Sequence, residues 1–251
     1  MAAAEAFFVT RTMEAMELLA FQPASAPQVA GVLRVHPGTA RRLLNRLVDD
    51  GWLIRSGGRR RTYTPTMRVV ALAAQLANRD LLPRAARPIV TRLHEATGQV
   101  AHLCIPSYRS ALCLVHRDGG PDARPQFREL VPAHAAAAGK VLLAHRDAWR
   151  ESVLSRPLAS LTERTVVEPE AAEREAARNR ERGYAIDDEE LQAGVRGVAV
   201  PVRGADGSAV AGLALSGPVR ELPEADVPGL VELLTAGAAE LGAELQAAVT
   251  P

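Results

Sequence analysis

The feature that most limits what this chain can fold into is the order of signals across residues 25–66, SAPQVAGVLRVHPGTARRLLNRLVDDGWLIRSGGRRRTYTPT. Ser25 and Gln28 have the spacing of a capping box, and Pro27 is tolerated because the first amides of a helix lack intrahelical partners. They predict a short helix running to about Leu33. After a brief turn, Pro37 suits a first helical position, and Ala40, Leu43, Leu44, Leu47 and Val48 recur at three- and four-residue spacing. That stripe predicts a second helix with one buried face. Gly51 is placed to stop it in the left-handed conformation. A strand from Trp52 to Arg55, a turn at Ser56, Gly57 and Gly58, and a return strand carrying Arg59, Arg60 and Arg61 complete the run. The succession predicts a winged helix-turn-helix, a unit that lays its second helix in the major groove of DNA and its hairpin along the phosphates.

The outward face of the second helix carries Gly38, Thr39, Arg41, Arg42, Asn45 and Arg46, donors suited to base edges and phosphates. A helix with arginines on one side is on its own no more than a solvated face. What favours nucleic acid is the sequence of cap, turn, helix, glycine stop and arginine hairpin within about forty residues. Charge points the same way. Residues 1–66 hold nine arginines against five acids, a net of +4, whereas the whole chain carries only +1, leaving −3 for the remainder.

A length of 251 residues accommodates the small N-terminal unit and a second domain of ordinary size. The helix before the capping box is expected to bury a stripe of Val9, Met13, Met16 and Leu18 or Leu19. After Pro65, the apolar helix MRVVALAAQLANRDLL reads as a linker packed on a partner chain. From Pro83 a helix over Ala85 to Thr97 is followed by strands at Val100 to Ile105, Ala111 to Arg117 and near Phe127 to Val131. Three helices follow, then strands at Gly197 to Arg203 and Ala209 to Ser216 around a GADG turn, and a final helix. The mixture predicts an α+β fold with an antiparallel sheet. The expected domains are 1–66 for DNA binding, 67–82 for the linker helix and 83–251 for the rest.

Several landmarks carry a family resemblance: VTRTMEAMELLA, HPGTARRLLNRLVDDGWL, the AAAAGKVLLA helix, RGYAIDDEELQAGVRGVAVPV and GLALSGP. Together they span nearly the whole chain, which resembles the IclR family of bacterial transcriptional regulators. The resemblance implies a winged helix-turn-helix followed by an effector-binding domain with a GAF-like fold, acting as a homodimer or homotetramer on double-stranded operator DNA. It implies that a small metabolite, a carboxylic or aromatic acid, changes operator affinity. It also implies a ligand site formed by Ala137, Ala138, Asp187, Val195, Gly197, Ala214 and Ser216. Ala214 stands where relatives that bind small carboxylates often have serine, and Gly197 where some have a polar or thiol side chain. Fewer donors favour a larger or more apolar ligand. Asp187 also suits a plain turn cap, and Ser216 an ordinary strand end.

Other chemistry finds little support in the residues. The AAGK pair is not a phosphate loop, because His134 replaces the required first glycine and Val141 the required Ser or Thr. No histidine pair has metal-ligand spacing, and no G-x-S-x-G elbow occurs. Cys104 and Cys113 read as buried thiols rather than as a disulfide or metal site. No apolar run reaches the roughly 18 residues of a membrane span, and the N-terminus does not read as a signal peptide. The expectation is therefore a cytoplasmic regulator with no cofactor, no metal and no catalytic residues. The alternatives are a DNA-binding regulator without an effector and an enzyme fused to a DNA-binding module. Of the 30 basic side chains only Lys140 is lysine, a bias attributed, with the abundant alanine, to genome base composition.

Overall fold

The computed structural model describes residues 2–57, 61–118 and 130–248. Its contacts divide the chain into two units that meet between Arg79 and Asp80.

The first unit runs α1 (Ala2–Phe21), β1 (Ala24–Ser25), α2 (Ala26–Leu33), α3 (Pro37–Asp49), β2 (Leu53–Arg55), β3 (Thr62–Pro65) and α4 (Met67–Arg79). Gln28 Oε1 accepts from the Ser25 amide at 2.9 Å and from the Ser25 hydroxyl at 2.7 Å, fixing the start of α2. Arg34 closes α2 in the left-handed region, with φ 52°. His36 caps α3 through Nδ1, which accepts from the Gly38 amide at 3.1 Å. Gly51 ends the turn after α3 with φ 76°, as its position requires. The three short strands form an antiparallel sheet in the order β1-β3-β2, with Ser25 opposite Thr62 and Arg55 opposite Tyr63. Ala15, Leu19, Val29, Leu33, Ala40, Leu43, Leu44, Leu47, Leu53 and Tyr63 share one core.

The apolar stripe expected on α1 is only partly the buried one. Leu19 is buried and Met16 and Leu18 pack on the core, but Val9 is 63% exposed and Met13 58%. The helix is apolar on more than one side, so periodicity alone does not select its inner face.

The second unit is built on one six-stranded antiparallel sheet. Its elements are α5 (Leu81–Thr97), β4 (Val100–Ser107), β5 (Ser110–Arg117), β6 (Leu130–Pro132), α6 (Ala137–His145), α7 (Asp147–Leu154), α8 (Pro169–Arg182), β7 (Ala185–Asp188), β8 (Val195–Arg203), β9 (Ala209–Pro218) and α9 (Val227–Ala247). The strand order is β6-β5-β4-β9-β8-β7. Period-two alternation gives the sheet two faces. Leu103, Val198, Val200, Val202, Leu213 and Leu215 pack with Ile89, Leu93, Leu234 and Leu241 of α5 and α9. The opposite face presents small residues, Ala185, Ala199 and Ala214 with Cys104, and covers them with Ala137, Ala138, Val141 and Leu142 of α6.

The small residues set how close α6 lies. A Cβ on Gly212 would stand 2.9 Å from the Ala138 carbonyl oxygen, and one on Gly139 only 2.3 Å from that of Ala133. Strand β7 was not anticipated from the sequence, and α5 begins at Leu81, with Asp80 accepting from the Leu82 amide at 3.0 Å. Pro83 therefore lies in the first turn, where its missing N–H costs nothing.

Candidate nucleic-acid interface and ligand site

On α3 the arrangement is that of a helix with one buried and one open side. Gly38, Arg41, Arg42 and Arg46 are exposed, and Thr39 and Asn45 half-buried, while Leu43, Leu44 and Leu47 face the core. Two of the exposed arginines are held by neighbours: Arg46 pairs with Asp50 at 2.9 Å and Arg42 donates to Thr39 Oγ1 at 3.5 Å. Both pairs are exposed and therefore easily exchanged for a phosphate partner. The Tyr63 hydroxyl on β3 donates to Asn45 Oδ1 at 3.1 Å, a contact between hairpin and helix that no periodicity announces.

The hairpin is clamped at its base. Ser56 and Thr62 are joined by their backbone at 2.9 Å and by their hydroxyls at 2.8 Å. Arg61 is exposed beyond that clamp, whereas Gly58, Arg59 and Arg60 lie outside the described residues. Arg68, at the start of α4, stacks over Trp52 with its guanidinium carbon 4.1 Å from the ring centroid and donates to the Asp50 carbonyl at 2.9 Å. It thereby fixes the turn after α3.

In the second unit the strand register collects residues far apart in sequence. Asp187 on β7 lies opposite Gly197 on β8, which in turn lies opposite Ser216 on β9. The next row on that face holds Ala185, Ala199, Ala214, His102 and His116. A Cβ on Gly197 would touch the Ala137 methyl at 3.3 Å and Asp187 Cβ at 3.6 Å, so the first turn of α6 sits directly over the row. Ala138 lies deeper, against Gly212, and Val195 one step outward, opposite Pro218. Of the seven residues named from the sequence, Ala137, Asp187, Gly197 and Ser216 thus form one patch, with Ala138 and Ala214 in the buried cluster beside it.

The electrostatics of this patch are unusual for its size. The α6 N-cap is Ala136, which offers no side-chain acceptor to the first-turn amides. Asp187 is buried, and Oδ1 accepts from the amides of Glu190 at 2.8 Å and Leu191 at 3.2 Å. Burial pushes its carboxyl up to about 7, against the opposing pull of those amides and of the Lys140 charge. Lys140, the single lysine, is itself buried; it reaches Glu175 at 2.8 Å, the Ile186 carbonyl at 3.3 Å and also pairs with Glu190. Burial raises Glu190 as well. Burial and the neighbouring His116 lower His102 to about 4, so that ring is neutral. Among the described residues no group of three or more His, Cys, Asp or Glu side chains is placed to hold a metal ion. None of the helices there is long and apolar enough to cross a membrane.

A helix-turn-helix with a hairpin beside it has the architecture of a DNA-binding unit, and it is carried on the same chain as a separate two-faced α+β sheet unit. Residues 73–243 match the family described as bacterial transcriptional regulator IclR C-terminal. The glycerol operon regulatory protein of Streptomyces griseus is 31% identical over 211 residues, covering 83% of this chain and 82% of that one. The HTH-type transcriptional regulator BhcR of Paracoccus denitrificans is 28% identical over 240 residues, covering 92% and 84%. An IclR homolog from Microbacterium hydrocarbonoxydans, solved as a complex with 4-hydroxybenzoate, superposes with a TM-score of 0.77 at 27% identity, covering 96% and 99%. The chain belongs to the IclR family of bacterial transcriptional regulators.

Proposed function

We propose that this regulator binds a specific operator through residues 1–66 and that a small carboxylic or aromatic acid, held in the unit beyond the 67–82 linker helix, changes its operator affinity. Thr39, Arg41, Arg42 and Asn45 work in the major groove with Gly38 and Arg46 beside them, and Arg59, Arg60 and Arg61 hold phosphates. The ligand is held by Ala137, Ala138, Asp187, Val195, Gly197, Ala214 and Ser216.

The observation that carries the ligand half is the Asp187, Gly197 and Ser216 row beneath the uncapped first turn of α6. Helix amides attract a carboxylate, and a carboxyl with its pKa near neutrality can donate to one. The glycine and alanines leave an apolar wall for the body of the acid. The homolog bound to 4-hydroxybenzoate supports the same class of ligand. The protein works as a homodimer or homotetramer in the cytoplasm, without catalysis. Met67, Val70 and Leu72 of α4, exposed in the single chain, supply apolar surface for a second copy.

The test is fluorescence anisotropy with the DNA flanking the protein's own gene, titrated with salt and with a panel of aliphatic and aromatic acids. Site-specific binding that one acid changes is the expected result. Binding that no acid alters would leave a regulator without an effector, and the absence of sequence preference would overturn the operator reading.

A further inference from the structure

The two cysteines of the chain face each other across the β4–β5 hairpin. Cys104 is directly opposite Cys113, whereas Leu103 is opposite Val115, so Leu114 is the extra residue of a bulge. Directly opposed residues of an antiparallel pair have Cα atoms about 4.5–5.5 Å apart, and a disulfide needs roughly 4.4–6.8 Å. The side chains leave the sheet on the same face: Cys104 is in the cluster formed with Ala137, Ala138, Val141 and Ala214, and Cys113 packs against it. The neighbouring Cys113 and burial raise the Cys104 thiol well above its ordinary range. Cys113 donates its own proton to the Val115 carbonyl at 3.1 Å. Both are free thiols, Cys104 buried and Cys113 half-buried.

We infer that Cys104 and Cys113 are a modification site, a thiol pair that a peroxide converts to a reversible disulfide within the hairpin. Cys113, the accessible member, attacks the peroxide: an S–O bond forms, the O–O bond breaks, and the thiol proton leaves with the departing oxygen as water. Cys104 then attacks the sulfenic sulfur. The S–S bond forms, the S–O bond breaks, and the Cys104 proton leaves with the hydroxyl as a second water. Two cysteines are oxidised and one peroxide is reduced to two waters; a dithiol reverses the step by exchange. The buried sulfur stands across the hairpin from its partner, on the same face of the sheet.

The inference rests on the hairpin alone and stands or falls apart from the DNA and effector readings. The full chain is treated with hydrogen peroxide, and in parallel with diamide, then denatured, alkylated and weighed by mass spectrometry. The expected result is loss of both thiols together, a mass lower by two hydrogens, peptides containing residues 104 and 113 joined within one chain, and recovery with dithiothreitol. In Cys104→Ser the peroxide treatment should instead leave Cys113 as a sulfenic acid that dimedone traps. Two alkylatable thiols after treatment, cross-links only between chains, or Cys113 driven to the sulfinic acid without a disulfide would each overturn the inference.

Discussion

The phenol of Tyr63 donates to Asn45 Oδ1 at 3.1 Å, tying the return strand of the hairpin to the middle of the helix assigned to the major groove. In the proposed DNA complex, Asn45 with its carbonyl engaged by Tyr63 offers a base chiefly its amide nitrogen, whereas reading adenine in two-handed fashion needs the carbonyl as well.

Tyr63→Phe should therefore do two things. Loss of the hydrogen bond costs about 1 kcal/mol of stability, read as a lower urea midpoint. Base preference at the position facing Asn45 should also shift towards adenine as the carbonyl is released. Selection from a randomised operator checks this; an unchanged preference would show that the phenol does not set the orientation of Asn45.

Gly139→Ala should unsettle the face of the second unit that α6 covers. The added methyl meets the Ala133 backbone, which is not a flexible side-chain end. Overpacking of this kind costs about 1–3 kcal/mol, and α6 and the turn at Ala133 must move apart. Thermal unfolding should fall in temperature, and any acid that stabilises the parent should stabilise the variant less.

Lys140→Met should be among the most damaging substitutions in the molecule. It leaves Glu190 and Glu175 without their cation in a buried setting, a loss of about 3–5 kcal/mol for a broken buried pair. The double variant Lys140→Met/Glu190→Gln should recover part of that loss. If the double variant is no more stable than the single one, the pair is not coupled as the geometry requires.

Asp187 and His102 make opposing contributions to the pH dependence, beside the smaller ones of Glu190, which burial raises, and His134 and His145, which burial lowers. Asp187 rises to about 7 in the folded chain from an ordinary 3.8, so the native state holds an extra proton between those values and stability falls as pH rises through that window. His102 falls to about 4 from an ordinary 6.5, so its part of the stability is gained as pH rises from 4 to 6.5. The two should offset each other in the parent. Asp187→Asn should expose the histidine term as stability rising with pH between 4 and 6.5; a flat profile in that variant would count against the His102 assignment. Carboxylate binding should weaken as pH passes above about 7 in the parent but not in Asp187→Asn.

The N-terminal unit was legible because its signals are local: a capping pair, a three-four stripe and a glycine stop each act within a few residues, and they locate α2, α3 and the ends of the hairpin. Val9 and Met13 show the limit, since a helix with several apolar faces does not declare which one is buried. Strand β7 escaped notice because AIDD is four residues long and half acidic. Contacts fixed by register, such as Tyr63 with Asn45 or Lys140 with Glu175 and Glu190, join residues 18, 35 and 50 apart, and no period reports them. The proposed ligand patch was named only through family likeness; what brings Asp187, Gly197 and Ser216 side by side is strand pairing, which single-residue chemistry does not encode.

Alanine is common enough in this chain to pass for nucleotide bias, yet where α6 meets the sheet it is a matter of clearance. Ala133, Ala135, Ala136, Ala137, Ala138 and Ala144 are each at most 5% exposed, in a segment whose one glycine, Gly139, has no room for a methyl. A mutation that drifts harmlessly elsewhere in such a genome meets a wall here. Homologues from genomes of quite different base content should keep side chains of methyl size at these positions, and tolerance to substitution should rise sharply just past residue 145.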